Sequence, residues 1–162
     1  MAQFCRIQSF RYRSASGAGA GDVSAPSRCN RCRAENTEPR AGVKGANFIS
    51  LHELFDKTAE EVKEYTDEIA ERSVQLGGTA FGTIQRVASG SRLPAYPLHL
   101  SAGIDHVTAL SNALARFGAS TRSAIAEANK AGDADTVDLF TEVSRGIDKL
   151  LWMVESHLHA KS

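Results

Sequence analysis

The chain has 162 residues, the length of one ordinary domain, and its 19 basic residues balance its 19 acidic residues. Bulk charge therefore predicts neither a nucleic-acid partner nor a membrane surface, and no apolar run approaches the roughly 18 residues that span a bilayer. The three cysteines all precede Arg33, and this small, odd number does not suit a secreted disulfide scaffold. We expect a soluble protein of a reducing cytoplasm, with no membrane partner.

Composition divides the chain near Val43. Between Arg13 and Gly42 the only large aliphatic residue is Val23. Such a stretch can bury too little apolar surface to offset the entropy that is lost when it becomes ordered. We therefore predict a disordered or aberrant segment over residues 1–42 and a helical domain over residues 43–162.

The first helix is predicted over residues 48–76. Its apolar residues recur at steps of three and four, which is the stripe of an amphipathic helix, and Gly77 with Gly78 marks its end. The stripe consists of Leu51, Leu54, Phe55, Val62, Tyr65 and Ile69.

A turn-rich connection follows, with a short helix predicted over residues 83–88. Two more long amphipathic helices are predicted over residues 103–131 and 136–157. Gly132 is a stop signal between them, and an aspartate at position 133 or 135 can cap the second. No segment alternates with a period of two, so the chain is predicted to be all-α. Three long helices suggest a bundle, and a four-helix bundle needs one more helix before residue 48, where no helical pattern is found.

Four potential metal ligands are predicted on one face of the first helix: His52, Asp56, Asp67 and Glu71. At about 100° per residue, they fall within about 100° of one another around the helix axis. They form two pairs with the spacing i, i+4, so the side chains within each pair are neighbours. Asp56 and Asp67 are about 16 Å apart along the axis, so one metal ion cannot bind all four.

An antiparallel two-fold copy of this helix, crossing near Glu61 or Val62, brings the two kinds of pair together. It sets His52 and Asp56 of one subunit opposite the Asp67 and Glu71 pair of its mate. The symmetry then makes two equal sites, each with one imidazole and three carboxylates. Such ligands suit iron or manganese better than a closed zinc site. The alternative is a merely solvated charged face, which is common among clusters of this kind.

The other histidines after residue 43 lack ligand spacing with one another. We predict surface positions for His99, His106, His157 and His159.

Six short motifs follow one another in order after residue 42. They are Val-Lys-Gly-Ala-Asn-Phe-Ile at 43–49, Leu-His-Glu-Leu-Phe-Asp at 51–56, Asp-Glu-Ile-Ala-Glu-Arg at 67–72, Gln-Leu-Gly-Gly at 75–78, Tyr-Pro at 96–97 and Asp-Lys-Leu-Leu-Trp at 148–152. With their spacing, they resemble the Dps family of ferritin-like proteins over about residues 43–159.

The resemblance implies a ferritin-like four-helix bundle that assembles through two-fold dimers into a hollow dodecamer in the bacterial cytoplasm. Such a cage oxidises Fe(II), usually with hydrogen peroxide, and stores the ferric product; many members also bind DNA without sequence preference. The family's iron ligands come from two subunits across a two-fold axis. Carried over, His52 and Asp56 ligate iron from one subunit, and Asp67 and Glu71 face them from the mate. Glu71 is the stronger candidate for a bridging carboxylate.

The chain departs from the Dps pattern just before the first motif. Where the family has His-Trp-Asn, residues 40–42 are Arg-Ala-Gly, so a histidine ligand of the family's first helix is missing. Arg40 places a cation there, which opposes metal binding by charge. Reading residues 26–37 in the next frame permits the amphipathic sequence Leu-Ala-Asp-Ala-Ile-Asp-Val-Gly-Leu-Lys-Thr. We therefore hypothesise a degraded first helix, caused by a frameshift that ends between about Thr37 and Val43.

Three functional interpretations stay open. The first is a Dps-type ferroxidase and iron store that protects DNA from oxidative damage. The second is a non-specific DNA-binding protein of the nucleoid with little ferroxidase activity; the first forty residues carry seven arginines against Asp22, Glu35 and Glu38, and a basic tail can hold phosphates. The third is an inactive, frameshifted product that exposes the apolar stripes of its helices.

Overall fold

The computed structural model describes residues 43–91 and 93–159, and within these ranges the chain forms four helices. They are α1 (Phe48–Gln75), α2 (Ile84–Gly90), α3 (Gly103–Ala131) and α4 (Ala134–Glu155). The described ranges contain no strand, only an isolated parallel bridge between Lys44 and Ala102. The prediction of an all-α chain is confirmed.

The two longest helices end where glycine was predicted to end them. Gly77 and Gly132 adopt φ values of +84° and +70°, which residues with a Cβ rarely adopt. After α3, the amide of Gly132 donates to the carbonyl of Asn129 and that of Asp133 to Ala128, both at 3.0 Å. This pair of bonds is a Schellman motif, and it satisfies carbonyls that the helix itself leaves free.

The last helix begins earlier than predicted because its cap is Asp133. The carboxylate of Asp133 accepts from the amide of Thr136 at 3.2 Å, so α4 starts at Ala134 and not at residue 136. It also ends earlier, at Glu155. The predicted bounds therefore erred by two residues at each end.

The core lies where α3 packs against α4 and α1 contacts α4. Side chains with no exposed surface come from all three helices, as the predicted stripes required. They include Phe55, Val62, Val107, Leu114, Phe117, Val143, Ile147, Leu150 and Val154.

The connection between α1 and α3 is packed only in part. Leu93 is buried in the core, whereas α2 has no buried residue at all. Thr83 caps α2 by accepting from the amide of Arg86 at 3.4 Å. The short helix was predicted at this place, with bounds one and two residues too early.

Two predictions lie outside the described residues. One is the disordered segment over residues 1–42, and the other is the degraded first helix with its frameshift. Among the helices that the structure describes, none is both long and apolar enough to cross a membrane.

Candidate metal centre

His52 and Asp56 form the first half of the predicted site. They lie on successive turns of α1, with His52 Nε2 3.5 Å from Asp56 Oδ2, and both side chains are more than one-third exposed. The ring of Phe48, one turn earlier, lies 5.4 Å from the imidazole and covers part of it. His52 Nδ1 is buried and has no hydrogen-bond partner among residues 43–91 and 93–159. The pair thus presents an imidazole and a carboxylate at the surface of α1.

Asp67 and Glu71 form the second half, nearer the carboxyl end of α1. Both side chains are exposed, and both lie on the predicted face of the helix. Burial raises the pKa of the neighbouring Glu68, and the charges of Glu142, Glu64 and Glu71 raise it further. Glu64, Glu68 and Glu71 thus place several negative charges beside the second half-site, which favours a cation.

One subunit does not bring the two halves together. Within the described ranges, no group of three or more His, Cys, Asp or Glu side chains is placed to hold a metal ion. The reason is that α1 is one continuous helix over Phe48–Gln75, which keeps Asp56 and Asp67 about 16 Å apart along its axis. The four predicted ligands can meet only if a second chain supplies one of the pairs.

Arg72 connects the end of α1 to the start of α4, a contact that no local pattern in the sequence predicts. Its Nη2 donates to Asp133 Oδ1 at 2.8 Å, and its Nε donates to Thr136 Oγ1 at 2.9 Å. Burial by itself would raise the pKa of Asp133, but hydrogen bonds from Thr136 and the charge of Arg72 outweigh it, so the pKa is lowered. In the sequence, Arg72 is the last residue of the motif at 67–72, which does not indicate its partners.

His106 is buried, so its predicted surface position is wrong. Only 3% of its surface is exposed, because the connection before α3 folds back over the first turn of that helix. Tyr96 Oη lies 2.5 Å from His106 Nδ1. Burial lowers the pKa of His106, although the backbone of Leu100 and the charge of Asp105 act in the opposite direction. His99 and His159 are exposed as predicted, and His157 is half-buried.

Comparison with known sequences places the helices in one family. The sequence model of the family described as "Ferritin-like domain" matches residues 40–161. A DNA protection during starvation protein of Agrobacterium fabrum is 43% identical over 120 residues, which cover 74% of each chain. The fine tangled pili major subunit of Haemophilus ducreyi is 31% identical over 116 residues, which cover 72% of this chain and 61% of that one.

Solved structures of similar fold come from the same family. Dps from Staphylococcus aureus superposes with a TM-score of 0.81 at 27% identity, over 86% of this chain and 93% of that chain. Dps from Microbacterium arborescens, solved in a high iron form, gives 0.81 at 25% identity, over 89% and 93% of the two chains. The predicted ferritin-like bundle is confirmed.

Proposed function

We propose that this chain, which belongs to the Dps family of ferritin-like proteins, binds ferrous iron between two subunits, oxidises it with hydrogen peroxide and stores the ferric product. The observation that carries the proposal is the pair of His52 and Asp56, 3.5 Å apart at the surface of α1. Exposed Asp67 and Glu71 lie on the same helix. An imidazole with several carboxylates is a donor set that suits iron.

Iron is the substrate in this proposal. His52 and Asp56 of one subunit bind it together with Asp67 and Glu71 of a two-fold mate. Glu71 is the carboxylate that would bridge two iron ions. Anionic oxygen ligands favour the more highly charged ferric ion, which lowers the energy of the oxidised product. Two ferrous ions lose one electron each, and the two electrons with two protons convert one hydrogen peroxide molecule into two water molecules. No radical is released, and nearby DNA is thereby protected.

Assembly completes the site. We propose a two-fold dimer as the unit that joins the half-sites and a dodecamer as the closed cage. A seven-residue helix without a buried side chain is not stable by itself in water, yet α2 is such a helix. Phe81, three residues before α2, and Ile84, its first residue, expose 57% and 82% of their surfaces. Apolar surface of this kind marks contacts between chains, so we propose that another subunit covers it.

The missing histidine weakens each site. Arg40 occupies the position where the resemblance places a further imidazole, and it lies outside the described residues. With one imidazole per site, we expect weaker binding of Fe(II) than in family members that have the complete set.

Mixing two variants tests the proposal. One variant carries His52→Ala and Asp56→Asn, and the other carries Asp67→Asn and Glu71→Gln. Each alone should oxidise little Fe(II), because every site lacks one half. In a mixed two-fold dimer, one site collects all four substitutions and the other has none. Co-assembly at equal amounts should therefore restore about a quarter of the sites.

The rate of Fe(II) oxidation by hydrogen peroxide is the measurement, followed through the absorbance of the ferric product. Glu127→Gln, which removes an exposed carboxylate of α3, is the control and should leave the rate unchanged. A mixture as inactive as its two components would reject the two-subunit site. Absence of oxidation by the unsubstituted, assembled chain would reject the ferroxidase function.

A DNA-binding protein with little oxidase activity is the second candidate. The arginines before residue 43 favour it, since they supply positive charge for phosphates. In that case the chain shifts linear DNA in a gel at low salt and releases it as the salt concentration rises, while Fe(II) oxidation remains at the rate of the buffer. Such a protein would lie on the nucleoid of a bacterial cytoplasm.

A further inference from the structure

All three nitrogens of the Arg72 guanidinium group make hydrogen bonds. Nη2 contacts Asp133 Oδ1 at 2.8 Å, Nε donates to Thr136 Oγ1 at 2.9 Å, and Nη1 donates to Gln75 Oε1 at 3.4 Å. The Arg72 and Asp133 side chains are only 18% and 16% exposed. A half-buried contact of this kind, with two hydrogen bonds to another helix, fixes the orientation of the end of α1 as well as its distance from α4.

The partner of Arg72 lies at the corner between α3 and α4, which is formed by Gly132 and Asp133. Asp133 follows the left-handed Gly132 that ends α3 and is the cap of α4. Its Oδ2 accepts from the hydroxyl of Thr136 at 2.7 Å, so both carboxylate oxygens are in use. The arginine therefore joins the last turn of α1 to a point whose own backbone and side-chain hydrogen bonds are satisfied.

Glu71 precedes Arg72, and Asp67 lies one turn earlier. Both carboxylates are exposed, so the path of the α1 backbone decides where they are presented. Misplacement of a ligand by about 1 Å is enough to weaken a site strongly.

We propose that Arg72 is a positioning residue for the iron site: it holds the end of α1 against the corner between α3 and α4, and so fixes where Glu71 and Asp67 meet the partner's half-site. This inference rests on the proposed function. Arg72 contacts no iron itself, and its role is exerted through Asp133 and Thr136.

Two substitutions separate positioning from charge. Arg72→Lys keeps the positive charge but loses the planar fork that reaches Asp133 and Thr136 together. Asp133→Asn keeps a side chain that can cap α4 but removes the nearer of the two carboxylate charges that Arg72 contacts, leaving Asp135 at 3.9 Å. In assembled protein, we expect each to raise the dissociation constant for Fe(II) about tenfold, measured by anaerobic titration calorimetry. The KM for iron should rise with it, more than kcat falls.

Two controls match these variants. Arg122→Lys changes an arginine whose contact with Asp148, at 3.0 Å, is more than half exposed. Ser111→Ala removes the 2.9 Å hydrogen bond from Ser111 to Glu155, which joins α3 to α4 without involving α1. The first tests the chemistry of the substitution, and the second tests a general loss of stability. Both should bind Fe(II) as the unsubstituted chain does.

The outcomes are distinct. If the unsubstituted chain binds no Fe(II), the proposed function fails and this inference with it. If it binds Fe(II) and both Arg72→Lys and Asp133→Asn bind equally well, only the inference is overturned. An equal loss of affinity in Ser111→Ala also overturns it, because instability would then explain the effect. Size-exclusion chromatography before each titration checks that the variant assembles. If Arg72→Lys does not assemble, the Fe(II) affinity of Asp133→Asn decides the test.

Discussion

The hydroxyl of Tyr96 lies 2.5 Å from Nδ1 of His106, and the two rings are nearly parallel with their centroids 6.1 Å apart. The phenol donates to Nδ1 in the neutral tautomer of His106 that carries its proton on Nε2. The contact anchors the connection after α2 to the first turn of α3, close to the bridge between Lys44 and Ala102.

Removal of the Tyr96 hydroxyl should destabilise the chain. In Tyr96→Phe, the buried Nδ1 of His106 loses its donor, and we expect a loss of about 1–2 kcal/mol in the free energy of unfolding. Urea unfolding monitored by circular dichroism measures it. Thr108→Ala, which removes an exposed hydroxyl from the same helix, should change the value by less than about 0.5 kcal/mol. Equal stability of Tyr96→Phe and the unsubstituted chain would mean that this contact contributes nothing.

Stability should fall in mild acid because of His106. Its pKa is lowered in the folded chain from the ordinary value of 6.5, so the unfolded chain binds more protons once the pH drops below that value. The contribution of neutral His106 to the free energy of unfolding is complete above about pH 6.5. It is lost as the pH falls from there towards the lower pKa of the folded chain.

Urea unfolding at a series of pH values between about 8 and 5 detects this dependence. His106→Gln removes the titrating group and should reduce the slope of stability against pH. His99→Gln, at an exposed position, should keep the full slope. Identical slopes for His106→Gln and the unsubstituted chain would assign the pH dependence to other groups.

Two helical glycines should respond oppositely to alanine. A Cβ on Gly146 would overlap the hydroxyl of Tyr65 and lie 2.6 Å from its Cζ, so in Gly146→Ala the Tyr65 ring must leave its place between α1 and α4. We expect a cost of about 1–3 kcal/mol. A Cβ on Gly118 would meet Ile147 at 3.4 Å, an ordinary contact, and Gly118→Ala should stabilise α3 by up to about 1 kcal/mol.

Thermal unfolding of the two alanine variants in one buffer makes the comparison. Both changes add the same methyl group to the interior of a long helix, so helix propensity favours both equally. A gain of stability in Gly146→Ala would show that the Tyr65 side chain can move aside at little cost.

Neutralisation of Glu68 should stabilise the chain. Burial and the charges of Glu142, Glu64 and Glu71 all disfavour its ionised form. Glu68→Gln removes this repulsion, and we expect a gain of about 0.2–0.5 kcal/mol at neutral pH. The gain should shrink at high salt, because exposed charges are screened. A gain that is independent of salt would point to packing and not to charge.

Local spacing was sufficient for the helices and for each half of the candidate site. The stripe from Leu51 to Ile69 and the stop signals at Gly77 and Gly132 depend on neighbours within one or two turns, so the bounds of α1 and α3 could be predicted to within a residue. His52 and Asp56 are one turn apart for the same reason. Their 3.5 Å separation follows from the i, i+4 relation.

Contacts between distant residues could not be predicted in this way. The residues that flank His106 in the sequence do not indicate that it is buried. Its burial depends on the connection before α3, which folds back and places Tyr96 against it.

The sequence by itself determined a helical chain of the Dps family and placed the four residues of the proposed site on one face of α1, because helix periodicity and family motifs are local properties. Only the tertiary structure decided that Arg72 reaches Asp133, since 61 residues separate them and no local pattern relates an arginine in one helix to the cap of another. The separation of the two half-sites within one subunit already follows from the sequence, because α1 is one continuous helix and keeps Asp56 and Asp67 about 16 Å apart along its axis. The iron site therefore belongs, in our proposal, to a pair of chains.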